Sequence, residues 1–249
     1  ETFPNVRMIR NDARNYLTGI DDRYALIVSE PSNPWLAGIA GLFTSDFYRL
    51  ASDHLTDDGV FVQWIQMYSL SPENARMILR TLLDEFPYAE VWESIPSDLI
   101  VVASKRPLNL TKDWQQQLMR NKERWQEYAE KLWLYQPSDL LAHRRGKIAG
   151  DVEGLSQSRN SDDLPKLEFT APWSLYVDTL GPNREWLARF FDEGNPRDEA
   201  EMAAARARYL AEGGLLEEAD AWSRRAQLEG QSLTIALTRG KVLLQMGDA

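Results

Sequence analysis

The sequence contains no cysteine and only two histidines, and these absences exclude several kinds of site. Without cysteine the chain can form neither a disulfide nor a thiolate metal site, and it has no cysteine nucleophile. This usage fits a reducing compartment, and we expect a cytoplasmic protein. His54 and His143 lie far apart in the sequence, whereas zinc sites need clustered donors. We therefore expect no metal site and interpret each histidine as a surface residue.

Long apolar runs and an excess of positive charge are also missing. The chain has no run of about 18 apolar residues, and it begins without a basic segment followed by an apolar core, so we expect neither a membrane span nor a signal peptide. The formal net charge of −10 argues against non-specific nucleic-acid binding, which needs a basic face. The 249 residues suffice for one large domain or two small ones.

The first hundred residues alternate strand-like and helix-like segments. Predicted strands cover residues 6–9, 24–29, 60–65, 89–93 and 99–103, and predicted helices cover 14–18, 42–51 and 72–86. Thr44 or Ser45 is expected to cap the second helix, and Ser71 the third. Residues 56–59 are predicted to form a turn. This alternation, closed by a strand pair, predicts an α/β fold with a largely parallel sheet and helices on its faces.

The stretch Tyr24–Trp35 contains a concentrated set of polar residues. An apolar run, residues 25–28, ends at a loop with two prolines, which is typical of a buried strand entering a loop. Ligands of open α/β sheets bind beyond the carboxyl ends of the strands. The residues that would stand at such an end are Ser29, Glu30, Ser32 and Asn33. An ordinary strand-to-loop turn without chemistry fits the local pattern equally well.

The remainder of the chain is predicted to be helical. Residues 105–195 form a helical extension in this interpretation, with a polar, exposed connector at 150–164. In the tail, 198–249, Gly213 and Gly247 are 34 residues apart, and the segments before them superpose. A 34-residue period is typical of tetratricopeptide repeats, and a plain helical hairpin is the alternative. A tail with so few repeats is not stable by itself. We therefore expect it to pack on the preceding domain or to continue in further sequence.

Four segments occur in the order found in one protein family. They are Asn11-Asp12-Ala13-Arg14, Tyr24 to Pro34, Leu42-Phe43 through Phe47-Tyr48, and Asp58-Gly59-Val60-Phe61-Val62-Gln63. Together they resemble the second half of a spermidine synthase-like (polyamine aminopropyltransferase) domain. Ser29–Trp35, Gln63-Trp64 and Asn160–Pro172 resemble a bacterial subgroup that is fused to a membrane-transporter-like segment. The likeness covers about residues 5 to 178.

The resemblance implies a class I methyltransferase-like (Rossmann-like) fold, with residues 1–104 as the C-terminal part of that domain. It implies transfer of an aminopropyl group to an amine from decarboxylated S-adenosylmethionine, or binding of S-adenosylmethionine itself. Asp12 would contact the adenine amino group, and Ala13 would add a backbone contact. From the residue pattern alone, Asp12 is also compatible with a turn residue after a strand.

The resemblance also implies roles around the amine. Glu30 aligns with the aspartate that serves as general base in the family, and a carboxylate one methylene longer can still act if it reaches the proton. Asn33 aligns with an aspartate that binds the cationic diamine, but it lacks that charge, which leaves the amine open. Gln63 and Tyr68 would line the amine channel. The residue pattern itself favours a strand-end polar group for Gln63 and a core tyrosine for Tyr68.

A nucleoside-binding domain of this class also needs a first strand, a glycine-rich loop and an acidic residue for the ribose. No Gly-x-Gly occurs in the chain, and the family's strand order would place the absent strands between those ending near Ile9 and Val28. We therefore expect this chain to be a fragment whose upstream sequence completes the site and, in the subgroup, tethers it to the inner membrane.

Two functions from different classes follow from these observations. One is the transferase; the other is a non-catalytic methyltransferase-like scaffold whose tetratricopeptide-like tail holds a protein. Expected partners are a small amine substrate, a protein bound at the tail and a second copy of the chain in a homodimer. No nucleic-acid partner is expected. The retained Asp12, Glu30 and Gln63 favour the transferase, whereas Asn33 and the tail favour the scaffold.

Overall fold

The structure is a computed structural model that describes residues 5–95, 97–108, 114–132, 134, 137–149, 154–192, 200–229 and 233–247. Its α-helices are α1 (Ala13–Thr18), α2 (Ser45–Asp53), α3 (Pro72–Glu85), α4 (Trp114–Met119), α5 (Lys122–Leu132), α6 (Lys166–Thr170), α7 (Leu180–Asp192), α8 (Ala200–Glu212), α9 (Leu216–Glu229) and α10 (Leu233–Met246). Its strands are β1 (Tyr24–Ser29), β2 (Leu55–Gln66), β3 (Tyr88–Ile95), β4 (Asp98–Ser104) and β5 (Arg144–Ala149). Short 3-10 helices cover Ile39–Phe43, Pro137–His143 and Ala171–Tyr176.

The early helices begin where their capping residues predict. Thr44, rather than Ser45, caps α2, because its Oγ1 accepts a hydrogen bond from the Phe47 N–H at 3.3 Å. Ser71 caps α3 in the same way, and Pro72 occupies the first helical position, where a missing N–H costs nothing. These side chains satisfy backbone donors that the first turn of a helix leaves unpaired. The predicted helices of this region are therefore confirmed.

The five strands form one mixed sheet in the order β1-β2-β4-β3-β5. β1 and β2 are parallel, whereas β2–β4, β4–β3 and β3–β5 are antiparallel. The prediction of a largely parallel sheet is therefore wrong for the described residues. The reason is that β3 and β4 form a hairpin, which must be antiparallel, and β4 then lies between β3 and β2. The turn predicted at residues 56–59 is part of the longer strand β2.

Alternate residues of β2 face the main core. Phe61 and Ile65 are fully buried, and the Phe61 ring stacks on Phe86 at a centroid distance of 5.2 Å. Edge-on contacts join the same ring to Phe47 and Tyr48 of α2, at 6.2 and 5.8 Å. Each such side chain contributes about 1.5–3 kcal/mol through burial. This aromatic cluster fixes α2 and α3 on one face of the sheet.

β1 lies at one end of the sheet, and within the described ranges no strand covers its outer side. Leu26 and Val28 are 54% and 62% exposed. The expectation of a buried strand at 24–29 is therefore wrong, because an apolar run indicates a strand without showing how many neighbours it has. Residues 6–9, also predicted as a strand, form none, and their apolar side chains are exposed.

The connector predicted at 150–164 is exposed only in part of its described range: residues 162–164 are exposed, whereas Leu155, Ser156 and Asn160 are buried. Asn160 is fully buried, with its Nδ2 donating to the carbonyl oxygens of Ala40 at 3.2 Å and Phe43 at 3.1 Å. Its Oδ1 accepts from the Leu167 N–H at 3.0 Å. The connector is buried at Asn160 because this side chain satisfies three buried backbone groups. Two of these groups, the carbonyls of Ala40 and Phe43, belong to the segment that follows the β1 loop.

Replacing Asn160 with alanine is expected to lower the free energy of unfolding by about 3 kcal/mol, because it leaves two carbonyls and one N–H buried without partners. Urea denaturation of both proteins measures this loss. Asn15→Ala, which truncates an exposed asparagine of α1, serves as the control. Equal stabilities of the Asn160→Ala and Asn15→Ala proteins would contradict the role of Asn160.

The region between residues 105 and 195 is not entirely helical. β5 joins the sheet beside β3, with Ala89 next to Ile148. His143, which directly precedes β5, is buried, so its interpretation as a surface residue is wrong. Its Nδ1 lies 2.8 Å from the Glu93 carbonyl oxygen, and its ring lies 4.3 Å from that of Tyr209. Burial lowers the pKa of His143, so the ring is neutral at pH 7.

An ionic cluster, buried except for the partly exposed Glu218, joins the sheet to α7 and to the tail. We call it the Glu93 cluster and define it as Glu93, Arg145, Arg184, Arg206 and Glu218. Arg184 and Arg206 donate to the two Glu93 oxygens at 3.2 and 2.9 Å, and Arg145 Nε lies 2.7 Å from Oε2. Glu218 of α9 accepts from Arg184 at 2.6–3.1 Å.

The tail consists of α8, α9 and α10, with Ala219 and Ala226 buried between helices. α8 also packs on the 3-10 helix Pro137–His143. The tail therefore packs on the preceding part of the chain, which is one of the two expected alternatives, while its continuation in further sequence and its assignment to tetratricopeptide repeats stay predictions. Among the described residues, no helix is both long and apolar enough to cross a membrane.

Candidate active site

The candidate site lies at the carboxyl ends of β1 and β2. These strands are parallel, with Ser29 next to Gln63, so the loops that follow them leave the sheet at the same edge. The first loop carries Glu30 and Asn33, and the second carries Tyr68. Side chains from both loops can therefore meet one ligand, as is usual for the carboxyl edge of an α/β sheet.

Tyr68 and Asn33 meet across the two loops. The Tyr68 hydroxyl lies 3.4 Å from Asn33 Oδ1, and its ring contacts Trp35 edge-on at 6.2 Å. Tyr68 is partly exposed, so its interpretation as a core tyrosine is wrong. Partial burial and the Asp98 carboxylate raise the pKa of Tyr68, so the hydroxyl remains a donor at neutral pH. Ser69 has a φ of +48°, a left-handed conformation that costs a non-glycine residue about 1–2 kcal/mol.

Glu30 is exposed immediately after the last residue of β1. Across the described part of the chain, its side chain has no hydrogen bond or ion pair. A carboxylate in this state has both oxygens available to accept a proton or a hydrogen bond from a ligand. Its position directly beyond a strand end is where the sequence predicted it.

Asp12 caps α1, because its Oδ1 accepts from the Asn15 N–H at 2.9 Å. The structure thus gives Asp12, an exposed residue, a local structural role, and within the described residues its second carboxylate oxygen has no hydrogen bond. Arg14 anchors this helix by donating to the Gly41 carbonyl oxygen at 3.1 Å and to Asp162. Because Gly41 belongs to the segment that follows the β1 loop, α1 lies beside that segment.

Gln63 lies beneath the surface of the site. It is fully buried, its Nε2 donates to the Leu42 carbonyl oxygen at 3.0 Å, and its Oε1 accepts from the Tyr48 hydroxyl at 2.6 Å. Burial raises the pKa of Tyr48 well above its usual value, so this hydroxyl stays a donor. In this conformation Gln63 supports the loop after β1 and has no surface for a substrate. Gln63 alternates with the buried Phe61 and Ile65 on β2, but Val60, Val62 and Trp64 make the opposite face equally apolar, so the sequence alone does not show which face is buried.

Glu168 is a residue of this region that the sequence analysis missed. Its Oε1 accepts from the Gly38 N–H at 3.2 Å, which ties α6 to the end of the β1 loop. Gly38 has a φ of +81°, a conformation that favours glycine. The two residues are 130 positions apart, so no local pattern indicates their contact.

This architecture, a mixed α/β sheet with polar loops at the carboxyl ends of two parallel strands, is consistent with a Rossmann-like methyltransferase fold. Residues 3–105 match the family model of the spermine/spermidine synthase domain. The match supports a spermidine synthase-like relationship for this part of the chain and, at the level of the family, a polyamine aminopropyltransferase-like function. That family uses decarboxylated S-adenosylmethionine as co-substrate and an amine as acceptor. A comparison with curated proteins found no match.

Proposed function

We propose that the protein transfers the aminopropyl group of decarboxylated S-adenosylmethionine to an amine at the carboxyl ends of β1 and β2. The observation that carries this proposal is the position of Glu30. It is an open carboxylate directly beyond β1, in the loop that also presents Asn33 to Tyr68, and it lies inside the region that matches the synthase domain. A general base must be accessible to the amine whose proton it takes, and Glu30 meets this condition.

The reaction is an in-line displacement. The nitrogen lone pair of the amine forms a bond to the carbon next to the sulfonium, and the carbon–sulfur bond breaks. Its electron pair returns to sulfur, which leaves as a neutral thioether. The attacking nitrogen then carries an extra proton, which Glu30 accepts. Because the sulfonium is already a good leaving group, the protein contributes mainly orientation and proton transfer.

The start of α1 offers groups that suit the adenine edge of the nucleoside. The second carboxylate oxygen of Asp12 can accept from an exocyclic amino group. The Ala13 N–H is in the first helical turn, where backbone donors lack intrahelical partners, so it can donate to a ring nitrogen. One acceptor and one donor side by side match the amino group and neighbouring ring nitrogen of adenine.

The amine side of the site is less anionic than a diamine site would require. Asn33 carries no charge, and its Oδ1 is near the Tyr68 hydroxyl. Glu30 therefore supplies the negative charge at this point of the two loops, and it must serve as the base. We infer that the acceptor is an amine with little charge besides the reacting nitrogen. Gln63 acts in this proposal by holding Leu42 and Tyr48 in place.

The proposal is tested by incubating the full-length protein with decarboxylated S-adenosylmethionine and a panel of amines, and identifying products by mass spectrometry. We expect a product that is heavier than the amine by one aminopropyl group, together with the thioether nucleoside. Monoamines are expected to be better acceptors than diamines of the same length. Failure to transfer the group to any amine would contradict the proposed function.

Asn33→Asp is expected to raise kcat/KM for butane-1,4-diamine by about 10-fold, because the new carboxylate attracts the distal ammonium. The same substitution is expected to leave kcat/KM for butylamine nearly unchanged, since butylamine has no second charge. Initial rates with both amines measure the ratio. Equal changes for the two amines would show that Asn33 does not face the distal end of the acceptor.

A second candidate function is a non-catalytic scaffold. It is favoured by the structural roles of two residues that the resemblance places at the site: Asp12 caps α1, and Gln63 is buried among internal partners. In that case Asp12 and Gln63 serve only the folded structure, and the tail binds a protein partner. The amine panel separates the two functions, because a scaffold yields no aminopropyl product.

A further inference from the structure

His143 lies buried where the sheet meets the tail, at the end of the 3-10 helix that directly precedes β5. Its Nδ1 is 2.8 Å from the carbonyl oxygen of Glu93 in β3, and its ring lies 4.3 Å from the ring of Tyr209 in α8. One imidazole therefore contacts both the sheet and the first helix of the tail. None of these residues takes part in the proposed aminopropyl transfer, so the inference below does not depend on it.

These contacts fix the position of the proton on the ring. A carbonyl oxygen can only accept a hydrogen bond, so the Nδ1 of His143 must hold the N–H that donates to Glu93. The neutral ring then has an unprotonated Nε2, which is buried with no hydrogen-bond partner among the described residues. The Tyr209 hydroxyl is buried and unpartnered in the same part of the chain. A second proton would create an Nε2–H for which the described residues provide no acceptor.

Charged groups surround His143 on each element that packs near it. Asp139 comes from its own 3-10 helix and Glu93 from β3, while β5, α7 and α8 supply four arginines: Arg145, Arg184, Arg206 and Arg208. Arg208 donates to Asp139 at 2.8 Å, and the other three arginines share Glu93, so both carboxylates already have cationic partners. An imidazolium would therefore compete with guanidinium groups for the same two carboxylates.

The titration of His143 has a definite sign. Burial lowers its pKa, and repulsion from Arg206 adds to this effect, whereas the Glu93 carbonyl and the carboxylates of Glu93 and Asp139 act in the opposite direction without reversing it. The folded-state pKa thus lies below the unfolded value of about 6.5. The neutral ring contributes its full stability above about pH 6.5, and this contribution is lost as the pH falls toward the folded value. Burial raises the pKa of Tyr209, so its hydroxyl does not titrate near neutral pH.

We propose that His143 is a pH-sensitive latch between the sheet and the tail, and that protonation of its ring weakens the docking of α8. The proposal is carried by the position of one buried imidazole between β3 and α8, with a ring nitrogen that has no described acceptor for a second proton. α8 joins the sheet at the same point, because Arg206 donates to the Ala142 carbonyl oxygen and to Glu93. Mild acid would therefore loosen the tail.

Hydrogen–deuterium exchange of the full chain at about pH 7 and about pH 5.5 tests the proposal, because amide exchange measures local opening. Exchange times are scaled for the pH dependence of the intrinsic rate. If the ring has a pKa of about 6.5 when α8 is open and stays neutral when α8 is docked, the opening constant of α8 rises about 8-fold between these pH values. The opening constant of α3, which packs in the main core, should not change and is the internal reference.

His143→Asn keeps a side-chain donor for the Glu93 carbonyl but cannot titrate, so its α8 should open equally at both pH values. His54→Asn is the matched control and should retain the rise. It removes the other histidine of the chain, whose Nδ1 lies 2.8 Å from the Asp22 carbonyl oxygen, away from the tail.

The His54→Asn protein also allows a measurement that needs no change at His143. Its only imidazole signal in NMR spectra belongs to His143, and we expect this ring to titrate well below about pH 6.5. The proposal therefore stays testable if His143→Asn does not fold. It is overturned if His143 titrates like an exposed histidine, if α8 opens equally at both pH values, if His143→Asn shows the same rise, or if α3 opens in parallel with α8.

Discussion

Glu30→Gln is expected to lower the turnover number for aminopropyl transfer by about 10²–10⁴-fold, the usual contribution of a general base. Glutamine keeps the size and hydrogen-bonding reach of the side chain but cannot take the proton from the attacking amine. Since the Glu30 side chain has no hydrogen bond or ion pair within the described residues, the substitution should leave stability unchanged. The loss should therefore be purely in kcat.

The measurement is the initial rate of product formation, with nucleoside affinity determined separately by calorimetric titration. Nucleoside affinity should change little, because the groups assigned to adenine are Asp12 and Ala13 on α1. Glu123→Gln, an exposed glutamate of α5, is the matched control and should retain full turnover. If the Glu30→Gln protein turns over at the unmodified rate, another group takes the proton.

The local signals of the sequence predicted much of the matched region. Capping by Ser71 with Pro72 identified α3, and the apolar segment at 60–65 identified the second half of β2, because both depend on residues within a few positions of each other. The position of Glu30 beyond a strand end followed from the same kind of pattern. These features need no knowledge of the rest of the chain.

Features that depend on distant partners could not be predicted in this way. Asn160 bonds to carbonyls 117 and 120 positions earlier, and this contact buries Asn160 within an otherwise largely polar segment. β5 was interpreted as helical because only its pairing with β3 makes its short sequence a strand. The exposure of β1 also depends on neighbours that no local pattern contains.

In the candidate site, too, local features could be predicted from the sequence and contacts between distant residues could not. The sequence placed Asn33 and Tyr68 in loops but could not show that they meet, since 35 positions separate them. Gln63 was assigned to the amine channel through resemblance, whereas its side chain is turned into the core by the alternation of β2. For Gln63 the residue pattern favours a strand-end polar group, whereas the resemblance implies a substrate contact. Its buried hydrogen bonds support a positioning role.

The second large effect is expected at the Glu93 cluster. Glu93→Gln should lower the free energy of unfolding by about 3–5 kcal/mol at pH 7, because it removes the buried carboxylate that Arg145, Arg184 and Arg206 share. The guanidinium groups then remain buried with too little negative charge. Because these arginines come from β5, α7 and α8, the loss should loosen the contact between sheet and tail. Urea denaturation gives the change in free energy, and limited proteolysis should show earlier cleavage between α7 and α9.

The pH dependence of this effect has a definite sign. Burial alone would raise the pKa of Glu93, but Arg206, Arg145 and Arg184 together outweigh it and lower the pKa. The charged carboxylate therefore contributes its full stability above the unfolded-state pKa of about 4.3, and this contribution is lost as the pH falls toward the lower folded-state value. Consequently, the stability difference between the unmodified and Glu93→Gln proteins should be constant from pH 7 to about pH 5 and should shrink below about pH 4. Glu127→Gln, which removes an exposed carboxylate 2.8 Å from Lys131, is the control and should change stability little at either pH. A Glu93→Gln deficit that persists unchanged at low pH would mean that shape, and not the charge of Glu93, holds the sheet and tail together.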